Sequence, residues 1–166
     1  MTGGRILMGV ALLAAAIAGA AGAQTVVHGS HDAYSAPGVA MAWGVSRGAT
    51  EASAAIVVRL ATDTSYPWIA VRGVDPFTKD EKPLVAAKPV SGLLDVRIPR
   101  AQFAETPRTE WLFFASESAA RAGTPAMVVY YLGVPDTTPE FADDAKLDAY
   151  LDKTLARARA GGVKTP

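Results

Sequence analysis

Apolar residues recur at every second position in this sequence, in short runs broken by proline and glycine. The clearest run is Leu94-Asp95-Val96-Arg97-Ile98, apolar on one side and charged on the other. Val39, Met41, Trp43 and Val45 alternate with Ala40, Ala42 and Gly44. Ile56, Val58 and Leu60 alternate with Val57 and Arg59, and Ile69 and Val71 with Ala70 and Arg72. Successive side chains of a strand point to opposite faces, so each run predicts a strand with one side in a core and the other in water. Trp111-Leu112-Phe113-Phe114 and Met127 to Leu132 are apolar on both sides, as expected of central strands or of strands covered by a helix. The fold expected is all-β: a two-sheet antiparallel β-sandwich, immunoglobulin-like or similar, with six to seven strands. The chain has no cysteine, so the Cys…Trp…Cys signature that would identify the immunoglobulin topology is missing.

The connections fit this reading. Pro99 to Phe103 is a short polar step suited to one helical turn at a corner between sheets. Glu117 to Pro125, rich in Ser, Ala, Gly and Thr, joins two antiparallel strands. The longest excursion is Gly73 to Pro83, which carries Asp75-Pro76-Phe77-Thr78-Lys79-Asp80-Glu81.

Beyond the last strand the period changes from two to that of a helix. Leu147, Leu151, Leu155 and Ala158 share one helical face, predicting an amphipathic helix over 144–159. Thr138-Pro139-Glu140 offers start signals: a capping hydroxyl, a proline and an acid. Asp143, Asp144, Asp148 and Asp152 fall early while Arg157 and Arg159 fall late, each opposing the local helix dipole, and Gly161-Gly162 ends the run. A lone helix of this length is marginal in water, so its leucine stripe must dock on the sandwich or on a partner.

The first residues read as an address. Arg5 precedes an apolar run, Ile6 to Ile17, and Ala18 to Ala23 contains only alanine and glycine. That order is a secretory signal peptide, residues 1–23, with cleavage before Gln24. The apolar run is shorter than the roughly 20 residues of a membrane span. Residues 24–166 are then one domain, periplasmic or secreted, with no membrane span after cleavage. Sixteen basic residues balance sixteen acidic ones, without the basic excess of a nucleic-acid partner. The missing cysteine excludes disulfides, thiolate metal sites and a cysteine nucleophile. No glycine-rich phosphate loop is present, and no cofactor is expected.

Four features compete for a function. Gly44-Val45-Ser46-Arg47-Gly48 matches the G-x-S-x-G of a hydrolase elbow. Both histidines precede Ser46, however, whereas that motif places its histidine last, so the segment reads as a strand-to-loop turn and a serine hydrolase as a remote alternative. His28-Gly29-Ser30-His31-Asp32 brings two imidazoles and a carboxylate together, the ligand types of a copper or zinc handling protein. The Asp75 to Glu81 loop lacks the order of a calcium loop. Tyr66-Pro67-Trp68 is an aromatic cluster of the kind enriched in interface hot spots. The reading with most support is a non-enzymatic module that binds another envelope or extracellular protein. Its candidate surfaces are Tyr66 and Trp68, the Gly73–Pro83 loop, and the helix face at Leu147, Leu151 and Leu155.

Overall fold

A computed structural model describes residues 24–27, 33–75, 77–105, 108–132 and 138–161. In chain order the elements are β1 (Gln24–Val27), β2 (Ala33–Ala36), β3 (Val39–Ser46), β4 (Ala55–Thr62), β5 (Trp68–Val74), β6 (Glu81–Pro89) and β7 (Leu93–Pro99). They continue as α1 (Arg100–Glu105), β8 (Arg108–Phe114), α2 (Glu117–Ala122), β9 (Met127–Leu132), β10 (Glu140–Phe141) and α3 (Asp144–Arg159). The alternating and apolar runs of the sequence are β3, β4, β5, β7, β8 and β9.

These strands build a two-sheet sandwich. One sheet runs β1-β9-β8-β5-β6, and the other runs β10-β3-β4-β7, with β2 sharing one edge of β3 with β10. Neighbours are antiparallel except β1 with β9 and β10 with β3. Among the described residues there are ten strands, more than the six or seven expected. β1, β2 and β10 have four residues or fewer, too few to display a period. β6 escapes detection because Pro83 interrupts it, Pro89 ends it and its pairing with β5 is irregular. Proline removes a ladder donor and is tolerated at a sheet edge, which is where β6 lies.

The inner faces meet as the period requires. Val39, Met41, Trp43 and Val45 of β3 pack with Ile56, Val58 and Leu60 of β4 and with Val96 and Ile98 of β7. The other sheet contributes Ile69, Val71, Trp111, Phe113, Met127 and Val129. α1 follows β7 directly and makes the sheet-to-sheet corner into β8.

The outer faces depart from expectation. Every residue of β3 and β4 is buried on both sides, because α3 lies across the face that alternation assigned to water. Leu147, Leu151, Leu155 and Ala158 pack there on Ala33, Ala40, Ala42, Val57 and Ala61. Small residues let the helix approach closely. A Cβ added to Gly44 would lie 2.8 Å from Leu147 Cδ1, so that strand position is glycine because the helix passes over it. The opposite outer face carries a smaller cluster, Leu112, Phe114, Val128 and Tyr130, capped by Ala119 and Ala120 of α2. The segment expected as a plain linker is therefore partly a helix, started by Ser116, whose side chain accepts from Ala119 N.

α3 spans the predicted residues, but its cap is Asp143, whose carboxylate accepts from Ala145 N. The expected start at Thr138-Pro139-Glu140 is a strand approach instead. Pro139 O accepts from Val45 N and Phe141 O from Arg47 N, both at 2.9 Å, and these bonds tie the segment to β3.

One charged side chain fastens the helix. Arg59 projects from β4 toward α3 and is only 7% exposed. Its Nε and Nη2 donate to the two carboxylate oxygens of Asp95 on β7, at 2.8 and 2.7 Å. Nη2 also reaches Asp148 Oδ1 at 2.5 Å, while Nη1 reaches Asp152 Oδ1 at 2.7 Å and the Asp148 carbonyl at 3.3 Å. A guanidinium has five N–H groups, and here five acceptors meet them. The Asp95 hydrogen bonds outweigh the cost of burial and, with Asp148, raise the arginine above its ordinary pKa, so it stays charged at any working pH.

Two stability measurements follow. Leu151→Ala leaves a cavity under the helix and should cost about 2–5 kcal/mol in urea unfolding; an unchanged midpoint would mean that the helix is not part of the core. Arg59→Ala should cost about 2–3 kcal/mol, since it removes charge-assisted bonds at a buried position. Asp152→Ala, on a wet carboxylate, should cost less than about 1 kcal/mol. Equal losses from the two would contradict the role given to Arg59.

Candidate functional site

The tip between β5 and β6 carries the most exposed large apolar side chain among the described residues. Asp75 shapes the tip. One carboxylate oxygen accepts the amides of Phe77 at 2.7 Å and Thr78 at 3.1 Å, an aspartate turn that holds those two residues. Asp75 N donates to Asp80 O and Lys79 N donates to Asp75 O, closing the loop at 3.0 and 2.9 Å. Thr78 Oγ1 adds a bond to Asp80 Oδ2 at 2.8 Å. Lys79 has φ +66°, the one non-glycine residue in left-handed backbone among those described. Strain of this kind persists only where surrounding bonds enforce it, and it concentrates at functional segments. On this fixed tip the Phe77 side chain is 91% exposed.

The aromatic pair read from the sequence does not form one patch. Tyr66 packs at the mouth of the inter-sheet core, its ring edge-on to Phe113 at 5.9 Å. Trp68 lies half-buried on the opposite side of its sheet, beside Leu112 and Phe114. The leucine stripe is closed within the chain, with Leu147, Leu151 and Leu155 all under 5% exposed beneath α3.

The G-x-S-x-G segment is accounted for by packing. Gly44 lies under Leu147, and Gly48 has φ +65° with a Cβ position 2.7 Å from the Ser53 carbonyl oxygen. Ser46 is 1% exposed and donates its hydroxyl to Asp144 Oδ1 at 2.8 Å, which ties the end of β3 to the first turn of α3. Next to it, Arg47 and Arg100 converge on the Glu140 carboxylate at 3.2 and 3.3 Å beside an open hollow of about 370 Å³. His28, His31 and Asp32 lie outside the described residues, as does the segment 1–23. Among the described residues no group of three or more His, Cys, Asp or Glu side chains is arranged to hold a metal ion. Nor is any helix there long and apolar enough to cross a membrane.

No protein-family model, curated protein or solved structure matches this chain. The site therefore rests on its own geometry. The loop is legible in the sequence, but the residue that shapes it is not. The available signal was Asp75 two positions before Phe77, the spacing of an aspartate turn, which converts a solvated tip into a fixed one.

The two amide bonds hold the Asp75 carboxyl below its ordinary pKa of 3.8. A depressed folded pKa means that the turn's order is fully present above the ordinary value and is lost as pH falls through the lowered one. Amide resonances of Phe77 and Thr78 should stay fixed on acidification to about pH 4 and shift only below it. Titration of those amides at or above the ordinary aspartate value would show the turn is not held by Asp75.

Proposed function

We propose that this protein is an exported, non-enzymatic β-sandwich that binds another protein of the cell envelope or extracellular space through the β5–β6 tip. The observation that carries this reading is Phe77, a large apolar side chain held almost wholly in water on a tip fixed by Asp75. A pre-ordered aromatic enters a partner's pocket with little entropy left to lose. Scattered exposed hydrophobics are ordinary on a surface. It is the coincidence of exposure, an enforced turn and a left-handed lysine that singles this one out.

The strand order supports an immunoglobulin-like version of the fold. Assigning A, B, C, E, F and G to β3, β4, β5, β7, β8 and β9 gives A-B-E in one sheet and G-F-C in the other, with β6 next to C. Sandwiches of this type commonly carry recognition in the loops at their ends, as the β5–β6 tip would. The buried, hydrogen-bonded hydroxyl of Ser46 supports the non-enzymatic half of the reading. The N-terminal address supports export.

A photoreactive benzoylphenylalanine at position 77, illuminated in intact cells, should give one defined protein adduct. The same group at exposed Lys146 should give none, and the recovered chain should begin at Gln24. Phe77→Asp should abolish competition for that adduct while leaving the melting temperature unchanged. Equal adducts at both positions, or labelling of Ser46 by a fluorophosphonate, would contradict the proposal.

A further inference from the structure

We propose that β7 is the contact strand of a homodimer, pairing edge to edge with β7 of a second copy, antiparallel and centred on Val96. β7 is hydrogen-bonded to β4 on one edge, and among the described residues nothing pairs with its other edge. Open edges invite pairing with another chain, and proteins usually guard them. One edge strand of the other sheet, β6, is guarded by Lys82, Pro83, Lys88 and Pro89. β7 has a proline only at its last residue and an apolar side chain, Leu93, 53% exposed at its first.

The partner is named by the strand's own sequence. Leu93-Leu94-Asp95-Val96-Arg97-Ile98-Pro99 is self-complementary about Val96. In an antiparallel pair centred there, Asp95 of each copy lies directly across from Arg97 of the other. Leu94 then faces Ile98, and the exposed Leu93 faces the exposed Pro99. Opposite charges directly across a strand pair stabilise it, and like charges disfavour it. The electrostatics favour the same arrangement. Arg59 with Asp95, Asp148 and Asp152 is one positive charge among three negative ones, an excess that an incoming arginine would reduce. Arg97 is exposed and engaged by no acid among the described residues. The two copies would share one sheet across a two-fold axis, a closed and isologous contact. A single strand pair buries less than the roughly 1,200 Å² of a standard interface, so association belongs to the weak, transient class and should be measured near 100 μM protein.

The chain's lack of cysteine makes the register directly testable. Leu93→Cys and Pro99→Cys are made as separate variants and mixed at about 100 μM under mild oxidation. The proposed register puts residue 93 opposite residue 99 of the other copy, within disulfide range, while two copies of residue 93 lie about 20 Å apart. A disulfide dimer should form in the mixture and not with either variant alone. Adding Arg97→Glu to both should slow that crosslinking about tenfold or more, since it sets an acid across from Asp95. Unchanged thermal midpoints confirm that all variants are folded. No crosslink in the mixture, equal crosslinking of Leu93→Cys alone, or indifference to Arg97→Glu would overturn the proposal.

Discussion

The docking of α3 onto the outer face of the β3–β4 sheet, fastened by Arg59, is the constraint on which the rest of this molecule depends. The helix turns a two-layer sandwich into three layers and buries a face that would otherwise be a wet sheet of alanines. It also dictates residue choice far from itself in sequence: glycine at 44 so that Leu147 can pass, alanine at 40, 42 and 61, and a serine at 46 that reaches Asp144. Arg59 adds direction to an otherwise greasy contact. A leucine stripe on alanines can slide or rotate, but a guanidinium with five satisfied N–H groups fixes which aspartates must lie above it.

The parts of the fold governed by period are legible in the sequence. Four strands and α3 follow from alternation and from the leucine spacing, because burial on one face leaves that trace in any ordering of sheets, while β8 and β9 follow from continuous apolar runs. Legibility fails where burial has no period. Ala40, Ala42 and Gly44 read as the wet side of β3, since small side chains cost little to expose and little to bury. They are in fact the helix's landing strip. Arg59 reads as a solvent-facing charge for the same reason: a strand pattern assigns a face, not what covers it. The aspartates at 148 and 152 read as complements to a helix dipole, and their partner across the sheet is invisible until the two elements meet.

The candidate sites divide in a similar way. The serine motif and the leucine face each admit a functional and a packing reading in sequence, and both are absorbed by the joint between helix and sheet. The features left facing outward are the ones that packing does not explain: an exposed phenylalanine on an enforced turn, and an unguarded strand whose charges complement themselves. One lies at an end of the sandwich and the other along its side, so the binding proposed at the tip and the self-association proposed along β7 would not compete for the same residues.

Native-state hydrogen exchange decides whether α3 and the sandwich unfold as one, by comparing amides in α3, such as Leu151 and Leu155, with amides in β4, such as Val58 and Leu60. If the helix is a layer of the same cooperative unit, both sets open only by global unfolding, and their free energies should agree within about 1 kcal/mol. Helix amides that exchange through a separate opening, several kcal/mol easier than that of β4, would contradict a single cooperative unit.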